Sequence, residues 1–332
     1  MKKNNLLKIS VIVPVYNVKY SLENCLESLK IQEYPISEIL IIDNHSSDNS
    51  VEIAEQFKEK NKNLNIKIVK RKKTYGVSDS YNLGAKLARE NYLVTIHSDG
   101  VIATKHELKK LVNPILLDSS IVATYPTGLH PRSLWLTYNF WQKCLFARDI
   151  DQKSIAINGL FDCYKKEAFL RIGGYDQNKF SNIFGSEDAD MSIRLGREGK
   201  LVATTAEIIH QHSFEGRYTY RNWISRRRFL AISYGHLMRI HAWSMKKDVV
   251  IYFIKPMLAL SSLLGFINLL FLVPLLLFPF FYMSRMFTDS ATLKDPRIVT
   301  LPFLLLFLVY YESFLTIYVM LFNKVPKWPS VI

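Results

Sequence analysis

The segment Glu38–Asn44, EILIIDN, is an almost continuous apolar run that ends in a carboxylate and an amide. Such a run is typical of a central parallel strand, which is covered on both faces and therefore shows no alternation of apolar and polar residues. A helical pattern lies on each side of it, YSLENCLESLK (20–30) before and SVEIAEQFKEKNK (50–62) after. The segment is therefore predicted to be a buried strand between two helices.

The same alternation continues toward both ends of this region. KISVIVPVYN (8–17), NIKIV (65–69) and YLVTI (92–96) have the composition of strands, and SYNLGAKLAREN (80–91) is a third helical pattern. The resulting β-α-β-α-β-α-β order predicts an α/β fold with a parallel, doubly wound sheet. Ligands of such sheets bind at the carboxyl ends of the strands.

Three polar clusters occupy those carboxyl ends: Pro14–Asn17, Asp43–Asn44 and His97–Asp99. Because the ends of parallel strands meet at one edge of a sheet, we expect these clusters to form a nucleotide or sugar-nucleotide site. Neither a GxGxxG motif nor a P-loop follows the first strand. This argues against dinucleotide-dependent oxidoreductases and P-loop nucleotidases.

The third cluster belongs to the segment YLVTIHSDG (92–100). His97 and Asp99 are two residues apart, so in extended chain their side chains lie on one face. Without a glycine-rich loop, a bound diphosphate needs another counter-charge. We therefore expect a divalent cation at this strand end.

The net charge is +14, and positive residues are concentrated before the C-terminal apolar region. Residues 217–247 contain eight Lys or Arg and no acid. No nucleic-acid motif accompanies them, so this segment is interpreted either as a topology signal or as a surface for anionic or pyrophosphate-bearing membrane lipids. Cys25, Cys144 and Cys163 are far apart and are predicted to be reduced, which favours a cytoplasmic location for the bulk of the chain.

Two apolar segments follow. Residues 256–284 carry no charge and residues 298–323 carry one, Glu312. A membrane span needs about 20 apolar residues. The sequence therefore predicts a multi-pass protein of the cell membrane with about two spans and with its catalytic domain in the cytoplasm. The first segment is predicted to be one tilted or kinked helix, with a hairpin of two short helices as the alternative.

Six segments, taken in order, resemble the family 2 glycosyltransferases, which have the GT-A fold. They are SVIVPVYN (10–17), EILIIDNHSSDNS (38–50), GVSDSYNLGAKLARENYLVTIHSDG (76–100), YKKEAFLRIGGYDQ (164–177), GSEDADMSIRLGREG (185–199) and HQHS (210–213). The resemblance covers about residues 8–236. It implies a GT-A domain at 1–216, followed by a basic segment at 217–248 and a transmembrane region at 249–332.

The resemblance also implies roles for single residues. It assigns nucleotide-sugar binding to a set that comprises Pro14, Tyr16, Asn17, Asp43, Gly76, His97 and Ser98. Asp43 matches the acid that accepts a hydrogen bond from the base, and Asp99 matches the metal-binding acid of the D-x-D motif. His97 stands where the family usually has the first acid of that motif. Of the two histidines His210 and His212, the resemblance places a metal ligand at His210.

Glu187 and Asp188 resemble the family's E-D pair, whose second acid is the catalytic base. The following residues, ADMSIRL (189–195), have helical spacing, which places Asp188 at a helix N-terminus. There the helix dipole favours the ionised carboxylate.

Together these features predict an inverting glycosyltransferase that depends on Mn²⁺ or Mg²⁺. Its expected donor is a nucleoside-diphosphate sugar, and its expected acceptor is a hydroxyl of a lipid-linked glycan in surface polysaccharide or glycoconjugate assembly. No nucleic-acid partner is expected. Two alternatives remain open, a polyprenyl-phosphate sugar synthase and a scaffold that binds sugar nucleotides without catalysis.

Overall fold

A computed structural model of the chain describes residues 8–150, 156–180, 185–211, 218–241 and 249–324. The chain divides into two compact units. Unit 1 comprises Met1–Leu129, Gln152–Asn178 and Glu187–Ser213, and unit 2 comprises His130–Asp151, Lys179–Ser186 and Phe214–Ile332. The segment 130–151, which the sequence analysis included in the N-terminal domain, therefore belongs to unit 2.

Unit 1 is built on a single sheet. Its strands are β1 (Ile9–Val15), β2 (Ile36–Asp43), β3 (Ile66–Lys70), β4 (Tyr92–Ile96), β5 (Gly100–Ile102), β6 (Ile121–Leu129), β7 (Phe161–Lys165) and β8 (Lys200–His210). Their order across the sheet is β3-β2-β1-β4-β7-β6-β8-β5. The four strands predicted from the sequence form the first half of this order and are parallel to one another, as predicted.

The second half of the sheet differs from the prediction of a purely parallel sheet. β7 is antiparallel to both β4 and β6, and β5 is antiparallel to β8, while β6 and β8 are parallel. The fold is therefore a mixed α/β sheet. The repeated strand–helix pattern on which the prediction rested ends at β4, and β5 has only three residues, too few to show a pattern.

The α-helices of the described residues are α1 (Leu22–Lys30), α2 (Ser50–Lys60), α3 (Val77–Leu87), α4 (Glu107–Leu117), α5 (Arg132–Thr137), α6 (Phe140–Phe146), α7 (Lys166–Arg171), α8 (Gln177–Phe180), α9 (Glu187–Leu195), α10 (Tyr220–His241), α11 (Val249–Leu263), α12 (Val273–Tyr282), α13 (Ser284–Thr288), α14 (Ser290–Leu293) and α15 (Leu301–Phe322). In unit 1, apolar clusters cover both faces of the sheet. α3 approaches β1 closely at Gly84, where an added Cβ would lie 2.4 Å from the Ile12 side chain.

Unit 2 is held together by an aromatic and aliphatic core. Residues of α5 and α6, including Trp135 and Phe140, pack in one cluster with Trp223 of α10 and Leu305 of α15. This packing explains why the segment 130–151 groups with the C-terminal helices. The three cysteines are buried free thiols, in agreement with the predicted reduced state.

α10 and α15 lie side by side over several turns. The Arg227 guanidinium pairs with the Glu312 carboxylate, and the Thr316 hydroxyl donates to the Ala231 carbonyl at 3.0 Å. One turn later, a Cβ added at Gly235 would lie 2.4 Å from the Thr316 carbonyl oxygen. A glycine at this position therefore allows the two backbones to approach.

The apolar C-terminal segments differ in form. Within the described residues, one helix, Pro296–Phe322, is long and apolar enough to cross a membrane, and one such helix alone also fits the core of a soluble protein. The preferred single helix over 256–284 was wrong: the region contains two shorter apolar helices, Phe253–Phe266 and Leu269–Tyr282. The break is at Asn268, whose side chain accepts from the Leu270 N–H and begins a new turn.

We predict that Gly235→Ala lowers the unfolding midpoint. Alanine is the better helix former by about 1 kcal/mol, so propensity alone would raise stability. The added methyl would press on the Thr316 carbonyl, and overpacking of this kind costs about 1–3 kcal/mol. Urea denaturation followed by circular dichroism measures the change. A raised midpoint would show that α10 and α15 do not pack this closely.

Candidate active site

The ends of β1 and β2 form one wall of the site. Asn17, just after β1, accepts a hydrogen bond from the Ser47 N–H at 2.8 Å, and Asp43, the last residue of β2, accepts from the Ser46 N–H at 3.2 Å. These bonds tie the two predicted base-binding segments together. Pro14 is buried in β1, whereas Tyr16 is 42% exposed.

Two further predicted donor-binding residues lie in different surroundings. Gly76 precedes α3 with φ +92°, and no heavy atom lies within 4 Å of the place where its Cβ would be. This leaves open space beside the backbone, but a side chain there would be strained. Ser98, between the two candidate ligands at the end of β4, is buried.

A candidate metal centre lies where β4 ends. The ligand atoms of His97, Asp99 and His210 all lie within 4.8 Å of one another. The Nε2 atom of His210 is 3.1 Å from an Asp99 carboxylate oxygen, and the Nδ1 atom of His97 is 3.7 Å from the same oxygen. The structure thus brings together three residues that the sequence analysis nominated. His212 lies outside the described residues.

The backbone explains how His210 reaches a residue more than a hundred positions earlier in the chain. His97 closes a tight turn in which its carbonyl accepts from the Gly100 N–H at 2.9 Å. Gly100 then pairs with His210 in the antiparallel β5–β8 ladder, and the Gln211 N–H donates to the Asp99 carbonyl at 2.8 Å. The strand pairing therefore places the imidazole against the carboxylate.

In this cluster, the Asp99 carboxylate and the His97 imidazole favour each other's charged forms. Burial raises the pKa of Asp99, but hydrogen bonds and the charges of His210 and His97 outweigh burial and hold that pKa well below its usual range. Burial likewise disfavours charge on His97, but Asp99, Asp188 and Asp162 together raise the pKa of the imidazole. A carboxylate between two imidazoles is a donor set that suits a divalent transition cation.

A turn that the sequence analysis did not single out connects this cluster to the predicted base. An ideal Cβ at Gly159 would lie 3.5 Å from the His97 Nε2 atom and 3.5 Å from the Asp188 Oδ1 atom. Gly159 has φ +73°, and its carbonyl accepts from the Tyr81 hydroxyl at 2.8 Å. A glycine at this turn therefore lets the imidazole and the Asp188 carboxylate approach the same backbone segment.

The Asp162 side chain stabilises this turn by hydrogen bonds. One of its carboxyl oxygens accepts from the Gly159 N–H at 2.6 Å, from the Asn158 N–H at 3.3 Å and from the Tyr164 hydroxyl at 3.1 Å. The side chain is fully buried, and burial raises its pKa to about 7 despite these donors. The clue in the sequence is a carboxylate inside the otherwise apolar strand FDCYK (161–165).

Glu187 and Asp188 are the first two residues of α9, as the sequence predicted. The macrodipole at a helix N-terminus favours ionised carboxylates, with a typical contribution of about 0.3–1 kcal/mol. The arrangement therefore joins a three-residue candidate cation site to a carboxylate at a helix start, both near one glycine turn. Such a site can neutralise a bound anion and accept a proton beside it.

Comparisons with known proteins indicate a family and a fold. Residues 10–171 match the family model Glycosyl transferase family 2. The chain is 24% identical over 245 residues to the O-antigen chain rhamnosyltransferase RfbN of Salmonella typhimurium, a match that covers 68% of this chain and 74% of that protein. It is 31% identical over 94 residues to the glycosyltransferase GlyG of Streptococcus pneumoniae, a match that covers 28% of this chain and 31% of GlyG. With GlyG the similarity thus extends over about a third of that protein's length.

The fold is similar to that of a solved glycosyltransferase. The mannosyltransferase PcManGT from Pyrobaculum calidifontis, in complex with GDP-Man and Mn²⁺, aligns over 97% of this chain and 89% of its own, with a TM-score of 0.61 and 16% identity. At this identity the likeness concerns the fold. The family match over residues 10–171 and this likeness of fold support a family 2 glycosyltransferase with the GT-A fold.

Proposed function

We propose that the protein is an inverting glycosyltransferase that moves a sugar from a nucleoside-diphosphate sugar to an acceptor hydroxyl. The observation that carries this proposal is the Gly159 turn, where the His97–Asp99–His210 cluster and the Asp188 carboxylate approach one backbone segment. Diphosphate binding and proton removal are the two tasks of such a transfer, and here their candidate groups meet. The family relationship supports the same reaction class.

On the donor side, the base and ribose would lie against the segments at Asn17 and Asp43, with Gly76 leaving room for close approach. His97, Asp99 and His210 fit a divalent cation by number, by donor type and by mutual distance. PcManGT was solved with Mn²⁺ and GDP-Man, which supports Mn²⁺ as the cation. Bound there, the cation would neutralise the negative charge of the diphosphate leaving group.

On the acceptor side, Asp188 would act as the general base. Its carboxylate takes the proton of the acceptor hydroxyl while that oxygen forms a bond to the anomeric carbon. The bond from that carbon to the diphosphate breaks at the same time, and the electron pair leaves with the nucleoside diphosphate. Attack from the face opposite the leaving group inverts the anomeric configuration.

We propose a glycan carried on a membrane lipid as the acceptor. The name of RfbN, an O-antigen chain rhamnosyltransferase, supports assembly of a surface polysaccharide. The apolar helices of unit 2 expose large side chains, among them Phe281 at 76% and Phe303 at 72%, which suits contact with lipid. Membrane attachment with the catalytic unit in the cytoplasm is therefore part of this proposal.

If these residues bind a cation, two substitutions should change the response of the protein to Mn²⁺ in opposite directions. The measurement is thermal stabilisation by UDP-, GDP- and dTDP-sugars across a Mn²⁺ titration. Asp99→Ala should abolish the Mn²⁺-dependent part of the stabilisation, because the one carboxylate among the candidate ligands is lost. His97→Asp should be less stable without metal, because carboxylates already surround this position, and should gain more from Mn²⁺ than the wild type.

The control is Glu59→Ala, which removes an exposed carboxylate of α2. It should respond to Mn²⁺ and donors like the wild type. If His97→Asp fails to respond to Mn²⁺ as completely as Asp99→Ala, the imidazole has a role that a carboxylate cannot fill. If no sugar nucleotide stabilises the wild type in the presence of Mn²⁺, the proposed function is wrong.

For the base, we predict that Asp188→Asn lowers turnover by about 10²–10⁴-fold while donor affinity stays near the wild-type value, because an amide fills the same space but cannot accept the proton. Single-turnover kinetics and donor titration separate the two quantities. Asp118→Asn, an exposed acid that pairs with Lys200, is the control and should leave turnover unchanged. Near wild-type turnover in Asp188→Asn would show that Asp188 is not the general base and only stabilises the start of α9.

Membrane attachment is tested on the full chain by fractionation. We expect the protein to sediment with membranes and to resist extraction at high salt, because exposed apolar side chains rather than charge would hold it there. Resistance to alkaline carbonate as well would favour crossing helices, whereas release by carbonate would favour helices that lie at one face. Recovery in the supernatant without detergent would contradict attachment.

A further inference from the structure

Unit 2 contains a cluster of positive charges that the proposed reaction does not use. Arg148, after α6, Arg227 of α10 and Lys255 of α11 surround the ring of Tyr282 at the end of α12. Their charged groups lie 4.5, 5.2 and 4.8 Å from the centre of that ring. Three cations from three separate segments thus converge on one phenol.

One carboxylate offsets these cations among the described contacts. Glu312 accepts from the Arg227 Nε atom at 2.6 Å and from its Nη2 atom at 3.0 Å, and it also pairs with Lys255. Arg227 and Glu312 are both buried, as a bidentate pair in the interior requires. The pairs that the structure describes therefore leave excess positive charge at the outer side of the cluster, where Arg148 is exposed.

The contacts of the Tyr282 hydroxyl also indicate an excess of positive charge at this place. It accepts a hydrogen bond from Arg227 at 2.8 Å and another from Arg148 at 2.9 Å. Both contacts use the oxygen as an acceptor, so when the hydroxyl is protonated its hydrogen can be donated to a bound anion. The protonated phenol, with its two cationic neighbours, can therefore take part in binding an anion.

The surroundings indicate what kind of anion fits. Phe281 precedes the tyrosine and is 76% exposed, and Ile254 and Met257 flank Lys255 on α11 and are exposed as well. These apolar side chains cannot stabilise a bound inorganic anion, whereas they can contact the apolar chain of an amphiphile. Arginine and lysine are the usual partners of phosphate oxygens.

We propose that Arg148, Lys255 and the Tyr282 hydroxyl bind the phosphate group of a membrane lipid. The phosphate accepts from the Arg148 guanidinium, the Lys255 ammonium and the Tyr282 hydroxyl, while the buried Arg227–Glu312 pair holds the tyrosine in place. The lipid chain lies on the exposed apolar side chains of α11 and α12. The inference rests on the proposed function only in identifying this lipid with the carrier of the acceptor glycan.

The test measures binding of farnesyl phosphate to the full chain in micelles of an uncharged detergent, with no sugar donor present. Arg148→Gln should weaken binding by about tenfold, as expected for loss of a charge-assisted hydrogen bond. Tyr282→Phe keeps the ring and removes only the hydroxyl, so it should weaken binding by about threefold. Both variants leave the buried Arg227–Glu312 pair intact, and unfolding midpoints check that they fold.

The matched control is Arg221→Gln, which removes the same charge from an exposed position on α10 outside the cluster. Binding of Arg221→Gln at wild-type strength supports a defined site, whereas an equal loss in Arg221→Gln and Arg148→Gln would show general charge attraction and overturn the proposal. Unchanged binding in both Arg148→Gln and Tyr282→Phe would also overturn it.

Two further ligands distinguish the sources of the phosphate. Farnesol, which lacks the phosphate, should not compete with farnesyl phosphate, and inorganic phosphate should compete only weakly. Equal competition by inorganic phosphate would overturn the lipid part of the proposal. Because the assay contains no donor and records no transfer, failure of the glycosyltransferase proposal would leave its result unaffected.

Discussion

Crowding of carboxylates around one imidazole governs the candidate active site. Asp99, Asp162 and Asp188 all act on His97 and raise its pKa. Like charges brought this close repel one another unless a proton or a cation intervenes. The three acids meet this constraint in different ways.

Asp99 is kept ionised by two imidazoles, Asp162 has a pKa of about 7 in a fully buried setting, and Asp188 has the N-terminus of α9. The first arrangement suits a cation ligand, because the carboxylate stays charged and has its nitrogen partners in place. The second suits a structural role, since Asp162 fixes the Gly159 turn through two backbone N–H groups. The third gives the Asp188 carboxylate the support of the helix dipole, which suits the general base of the proposed reaction.

In unit 2, a carboxylate among apolar helices also has to be neutralised. Glu312 is the one charge in the second apolar segment of the sequence, and a lone ionised carboxylate among apolar residues would be costly. Arg227 neutralises it from α10, and the close approach at Gly235 lets α10 run beside α15. At least one positive charge of the basic segment thus lies inside the protein rather than at its surface.

The sequence by itself determined the strand and helix order as far as β4, the buried central strand at 38–44, and the candidacy of Asp99, Asp188 and His210. The order of elements follows from local periodicity, and the candidate residues follow from the resemblance of short segments to a known family. Both depend on residues close together in the chain. Periodicity shows which face of a strand is buried but not which strand it will pair with, so the antiparallel half of the sheet did not follow from it. Only the tertiary structure brought His210 to Asp99, placed Gly159 beside His97 and Asp188, and gathered Arg148, Arg227 and Lys255 around the ring of Tyr282. Each of these contacts joins segments far apart in the sequence, and its geometry is decided by strand pairing and by helix packing rather than by the residues on either side.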